Sequence, residues 1–166
     1  NSTDMYTVDV SAFGCEYSDS IYVTVNANPV ATASNNGPLC VGDQLLLTGG
    51  SNGLSYSWNG PNTYSSASQS SVVSGSATTA MSGAYILIVT DGNQCTGTAS
   101  TSVVVNANPV STASNNGPLC AGSQLVLAGG PSGLTYSWIG PNTYSSASQT
   151  LLVSGSSTTS MSGTYT

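Results

Sequence analysis

Residues 26–40 read NANPVATASNNGPLC, and residues 106–120 read NANPVSTASNNGPLC, a displacement of 80 positions. The same step carries Trp58 to Trp138, Met81 to Met161 and Tyr85 to Tyr165. Aligned without gaps, 26–85 and 106–165 agree at 45 of 60 positions. Cys15 precedes Asn26 by eleven residues, as Cys95 precedes Asn106 by eleven. The opening residues therefore join the same frame. It divides the chain into residues 1–27, the end of one repeat with its strands F and G; 28–107, a complete repeat; and 108–166, a repeat that lacks its last strands.

Eighty residues exceed the period of the common solenoids, whose units bury a core only by stacking. The length suits a small self-contained sandwich. Apolar and β-branched runs recur at the 8–12-residue spacing of such a fold. They predict strands A near Val30–Ser34, B near Gln44–Thr48, C near Leu54–Trp58, D near Thr63–Ser68, E near Ser70–Ser74, F near Ala84–Thr90 and G near Thr96–Val105. Between them lie Asn35-Asn36-Gly37-Pro38, residues 49–53, Gly60-Pro61-Asn62 and Asp91-Gly92-Asn93. These are turn sequences, with Gly and Asn tolerating positive φ and Pro fixing its own. No stretch of ten residues carries a helical period. The fold class expected is all-β: tandem immunoglobulin-like β-sandwiches of about seven strands each. Only Asn106-Ala107-Asn108-Pro109 separates the expected strand G from the next strand A. Proline restricts both itself and Asn108 to extended backbone, so a semi-rigid end-to-end rod is expected.

Composition excludes several functions. The chain has no Lys, Arg or His and six carboxylates, for a net charge of −6. Without cations it cannot neutralise phosphates, so nucleic acid is excluded as a partner. Nor is there charge to draw it to an anionic membrane, and no apolar run is long enough for direct membrane insertion as a helix. Without His there is no ordinary neutral-pH general base and no imidazole ligand. A hydroxyl nucleophile needs an adjacent base, so the 51 Ser and Thr residues read as solvated strand faces. The chain is expected to be no enzyme and to hold no cofactor. The start at Asn1, without a methionine or signal peptide, suggests a processed protein or a segment of a longer one.

Trp58 and the run Ser82-Gly83-Ala84-Tyr85 resemble the core tryptophan and tyrosine corner of immunoglobulin domains. The immunoglobulin F-strand cysteine would fall at Leu87; here the cysteines stand at Cys40 and Cys95 instead. With Cys40-Val41-Gly42, Gln44-Leu45-Leu46-Leu47 and Tyr56-Ser57-Trp58-Asn59-Gly60-Pro61-Asn62, this variant resembles the Ig-like repeats of giant surface adhesins of Bacteroidetes-type bacteria. Those include gliding-motility adhesins exported by type IX secretion. The second copy matches through Cys120, Trp138-Ile139-Gly140-Pro141-Asn142 and Ser162-Gly163-Thr164-Tyr165. The resemblance implies an extracellular, cell-surface location, a stalk or filament role and no cofactor. It implies neighbouring repeats of the same array as partners, and an unidentified surface or glycan receptor.

A small unit buries only about 60–65% of its unfolded surface, so a staple is expected. One cysteine pair per repeat in constant register favours Cys40–Cys95, with Cys15 and Cys120 pairing outside this sequence. Cys15–Cys40 across the junction is the alternative. Loop closure over roughly 56 residues would contribute about 4 kcal/mol. A zinc site lacks both histidine and CxxC spacing. Trp58, Trp138, Tyr85 and Tyr165 are expected as structural core rather than sugar platforms. Tyr64 and Tyr144 are better candidates for exposed aromatics, though an edge tyrosine with its hydroxyl satisfied is the simpler reading. Asp91-Gly92-Asn93 reads as a hairpin turn rather than a calcium loop, and Asp43 has Ser123 as its counterpart. Ser20, in Asp19-Ser20-Ile21, and Asn1, in Asn1-Ser2-Thr3, are possible glycosylation acceptors. A second architecture is a head-to-tail fibre of identical chains, each completing its neighbour's last domain by strand addition. A third is a spacer or carbohydrate-binding module of a secreted enzyme.

Overall fold

The computed structural model describes residues 2–50 and 55–166, and the chain divides into two compact units between Asn108 and Pro109. Asn1 of the sequon, the turn residues 51–53 and Leu54 at the expected start of strand C lie outside the described residues.

The first unit opens with a hairpin, β1 (Ser2–Ala12) and β2 (Cys15–Val25). Polar and apolar residues alternate from Tyr6 to Ser11 of β1, the period of a strand with two distinct faces. Phe13 and Gly14 connect them at φ 53° and 79°, the positive angles that a two-residue hairpin turn requires. β1 and β2 pair only with each other, and every residue of both strands is exposed.

A sandwich follows. One sheet has the order β3 (Thr32–Asn35), β5 (Leu45–Gly50), β8 (Ser70–Ser74). The other has the order β10 (Thr96–Val103), β9 (Gly83–Thr90), β6 (Ser55–Asn59), β7 (Ser65–Ser66). In immunoglobulin letters these are A-B-E and G-F-C-C′. Strand D is thereby corrected: its central residues, Ser65 and Ser66, pair with Asn59 and Trp58 of strand C rather than joining E. Strand A is also split. After Asn36-Gly37-Pro38 the chain crosses sheets, and β4 (Leu39–Cys40) pairs in parallel with β11 (Val105–Asn106) beyond the end of β10. The Asn35 side chain marks the crossing. Its amide donates to Thr101 Oγ1 at 2.7 Å and its carbonyl accepts from Gly37 N–H at 2.7 Å.

Inward-facing residues at period two fill the space between the sheets. Leu45 and Leu47 on β5, Tyr85, Leu87 and Val89 on β9, Trp58 on β6 and Val103 on β10 are all buried. Burial of that apolar surface, at about 25 cal/mol per Å², is what holds the unit together. Among the described residues no buried side-chain polar atom lacks a hydrogen-bond partner.

The second unit repeats the first part of this arrangement. β12 (Thr112–Asn115), β13 (Leu125–Gly130) and β16 (Thr150–Ser154) form one sheet, and β14 (Trp138–Gly140) pairs with β15 (Tyr144–Ser146). Its buried core is Leu125, Leu127 and Trp138.

Candidate functional site

The repeated Trp-x-Gly-Pro-Asn string and the Ser-Gly-x-Tyr string meet in one cluster at the end of strand C. Trp58 is fully buried and its indole N–H donates to the Gln69 carbonyl at 3.3 Å. Gly60 lies flat against the Tyr85 ring: a Cβ there would stand 2.3 Å from Tyr85 Cδ1. Pro61 packs against Gly83, whose φ of 142° suits glycine. Asn62 takes φ 54°, and its side-chain amide donates to the Ala80 carbonyl at 3.0 Å. Each residue of the string thus has a separate geometric reason. The second unit repeats them, with Gly140 against Tyr165, Pro141 against Gly163, and the Asn142 amide donating to the Ser160 carbonyl at 3.0 Å.

Tyr85 makes the corner contact that its position suggests: its hydroxyl donates to the Met81 carbonyl at 3.0 Å. Tyr165 does the same with Met161. Tyr64 is half-buried rather than open, edge-on to Tyr85 at 5.6 Å, with its hydroxyl 2.7 Å from Ser71 Oγ. Tyr144 and Tyr165 pair likewise at 5.8 Å. Burial raises the Tyr85 phenol above its ordinary value of 10.0, and the nearby Tyr64 phenol adds to the shift. A raised folded-state value means that the native state holds its proton longer than the unfolded chain. The stabilisation is complete below about pH 10 and is lost as pH rises through the folded value. Urea midpoints of the intact protein are therefore expected to fall above that pH, and Tyr85→Phe is expected to flatten the fall. Midpoints that fall as steeply in Tyr85→Phe would refute this assignment.

The cysteines do not form the expected staple. All four thiols are free. The reason lies in the strand register. Cys40 pairs opposite Asn106, eleven residues beyond Cys95 along the G strand. At about 3.3 Å per residue that is roughly 35 Å, whereas a disulfide needs Cα atoms within about 7 Å. Cys95 sits at the β9–β10 turn and Cys40 at the opposite end of the sandwich. Cys15 stands opposite Ala12 at the β1–β2 turn and is free as well, so the Cys15–Cys40 alternative also does not form. A reductant is therefore expected to leave the urea midpoint unchanged. A reductant-induced drop would restore the staple.

Among the described residues no group of three or more His, Cys, Asp or Glu is placed to hold a metal ion. The Asp91 carboxylate is used by its own turn, accepting from Asn93 and Cys95 N–H at 2.9 Å each. That turn has three residues, 92–94, with Gln94 at φ 65°. Asp43 accepts from Cys40 N–H at 2.8 Å. Ser20 is exposed on β2, its N–H bonded to Asp19 Oδ1 at 2.8 Å. No helix of the described residues is long and apolar enough to cross a membrane.

Strands F and G were expected within 1–27, but the sequence reading missed how their residues divide between the two faces of the hairpin. Cross-strand partners share a face, so Tyr6, Val8, Val10, Tyr17, Ile21 and Val23 lie together on one side of β1–β2. Asp4 and Asp19 interrupt that side, and the opposite side carries Met5 and Tyr22 with Thr3, Thr7, Asp9, Glu16, Ser18 and Ser20. The signal is the strict alternation from Tyr6 to Ser11.

No protein-family model matches the chain, and no curated protein does. Among solved structures, that of an amphioxus IgVJ-C2 molecule is similar at 20% identity and a TM-score of 0.40. The match covers 61% of this chain, which spans 59% of that one. The sheet order itself assigns the class: A-B-E against G-F-C-C′, a buried strand-C tryptophan and a tyrosine corner make this an all-β protein of immunoglobulin-like β-sandwich units.

Proposed function

We propose that this chain is a non-catalytic segment of an extracellular stalk or adhesive filament, of the repetitive bacterial cell-surface adhesin type. The observation that carries the reading is the recurrence, at constant spacing, of the whole Trp-x-Gly-Pro-Asn and tyrosine-corner cluster in two consecutive units. Those residues all serve folding, and none is left to act on a substrate. Recurrence of one core motif in units joined by a short linker fits a protein whose output is reach. The linker is fastened to the first unit, since Val41 N–H donates to the Asn106 carbonyl at 2.9 Å and the Asn108 amide to the Val41 carbonyl at 3.0 Å. Neighbouring repeats are the proposed partners, and Ser20 remains a candidate for O-glycosylation. A carbohydrate-binding module is disfavoured because Trp58 and Trp138 are buried, at 0% and 5% exposure.

The test is labelling of intact source cells with an antibody raised against this chain. Surface filaments labelled without permeabilisation are expected. Labelling that appears only after permeabilisation would overturn the reading.

A further inference from the structure

We propose that Asn36, with its twin Asn116, is a fold-gated deamidation site: sealed while the first strand of its unit is docked on the second, open once the unit unfolds, and unable to restore the same contacts afterwards. This goes beyond the stalk reading and holds wherever the protein resides.

The chemistry sits in the pair Asn36-Gly37. The Gly37 backbone nitrogen attacks Cγ of the Asn36 side chain. An N–Cγ bond forms and the Cγ–Nδ2 bond breaks. Ammonia leaves, carrying the amide proton, and a cyclic succinimide remains. Water then opens the ring, giving either an aspartate or an isoaspartyl link whose backbone runs through Cβ and Cγ. Glycine in second place favours the attack because it has no Cβ to shield its nitrogen. Water is the sole co-reactant.

The fold keeps the two reacting groups apart. β3 pairs with β5 as far as Asn35, opposite Leu47. One residue on, the Asn36 side chain takes over the ladder. Its Oδ1 accepts from Leu46 N–H at 2.8 Å, and its Nδ2 donates to the Gln44 carbonyl at 2.8 Å. The amide thus stands in for a peptide group just where the backbone turns away toward the other sheet. The attacking nitrogen is engaged as well, since Gly37 N–H donates to Asn35 Oδ1 at 2.7 Å. Asn35 is itself fixed, its Nδ2 donating to Thr101 Oγ1 and to the Ser102 carbonyl. Asn36 is exposed, so hydrogen bonding rather than burial is the guard. Cyclisation requires the Asn36 side chain to leave β5 and Gly37 N–H to leave Asn35.

The second unit repeats the lock. Asn116 Oδ1 accepts from Val126 N–H at 2.9 Å, and its Nδ2 donates to the Gln124 carbonyl at 2.9 Å. Gly117 N–H donates to Asn115 Oδ1 at 2.7 Å.

The product does not fit this lock. An asparagine amide both donates and accepts, whereas an ionised aspartate only accepts. An aspartate at position 36 turns an oxygen toward the Gln44 carbonyl, where a donor now stands. The isoaspartyl link lengthens the backbone by one carbon between β3 and the crossing. A unit that stays open long enough is therefore marked, and the marked unit refolds to a weaker structure.

Incubation of the purified 166-residue chain at mildly alkaline pH, with and without denaturing urea, tests the gate. Chymotryptic peptides report it, since the chain has no Lys or Arg for trypsin, and their fragment masses locate the conversion. In urea, residues 36 and 116 should convert. In the native chain their conversion should be slower by about a hundredfold or more, because an opened strand is a rare state of a folded unit. Asn36→Asp tests the product: its urea midpoint should fall below wild type. Asn59→Asp, the control, should keep the wild-type midpoint, because the second unit carries Ile139 at that place and needs no amide there. Equal conversion rates in the native and denatured chain, or no conversion in urea, would overturn the gate. A wild-type midpoint for Asn36→Asp, or equal falls in the two variants, would overturn the lock.

Discussion

Trp58→Ala is expected to unfold the first sandwich while leaving the second unit folded. Trp58 is fully buried at the centre of the larger core, against Leu45, Leu47, Leu87 and Val89. Truncating a buried Trp to Ala costs about 3–5 kcal/mol through lost burial and the cavity left behind. Small domains hold about 5–15 kcal/mol in total, and this one has no internal disulfide. Trp138 remains as the fluorescent reporter of the second unit. Urea titration followed by its emission should keep the wild-type transition, while far-UV circular dichroism should lose the first unit's transition. The reciprocal Trp138→Ala should cost less, since its sheet there is only β14 with β15. A wild-type circular dichroism profile for Trp58→Ala would remove the tryptophan from its role as the pin of the fold.

The second large effect is expected from one methyl group. Gly60→Ala places a Cβ 2.3 Å from Tyr85 Cδ1 and 2.4 Å from Cε1, far inside contact distance. The ring has no room to retreat, held by its bond to the Met81 carbonyl and by Tyr64 on its edge. Overpacking in a core costs about 1–3 kcal/mol, and a ring fixed on both sides puts this position at the upper end. Gly75→Ala is the control, because an added Cβ there meets nothing within 4 Å. It should be neutral or slightly stabilising through reduced freedom of the unfolded chain. Equal urea midpoints for the two variants would disprove the ring-stacking account.

The strands of the first unit were legible because their inward residues alternate without interruption. Leu45 and Leu47, or Tyr85, Leu87 and Val89, announce both a strand and its buried face. The assignment of Ser65 and Ser66 to strand C′ was not legible. Two serines carry no face preference, so only the hydrogen bonds to Trp58 and Asn59 decide which sheet they join. The disulfide failed for a related reason. Repeat arithmetic fixes how often a cysteine pair occurs but not how far apart its members fold, and that distance depends on the crossing at Asn36-Gly37-Pro38. The register shift in the hairpin escaped because an ungapped frame places Met5, not Tyr6, at the Tyr85 position. One residue fewer in a turn moves every side chain of the preceding strand to the other face.

The split of the first strand determines how a sandwich responds to tension. Leu39 N–H donates to the Val104 carbonyl at 2.9 Å and Val41 N–H to the Asn106 carbonyl at 2.9 Å, across two strands that run in the same direction. A pull on opposite chain ends slides these strands past each other instead of peeling them apart. Tension applied to this unit would then load the β4–β11 bonds together rather than one after another.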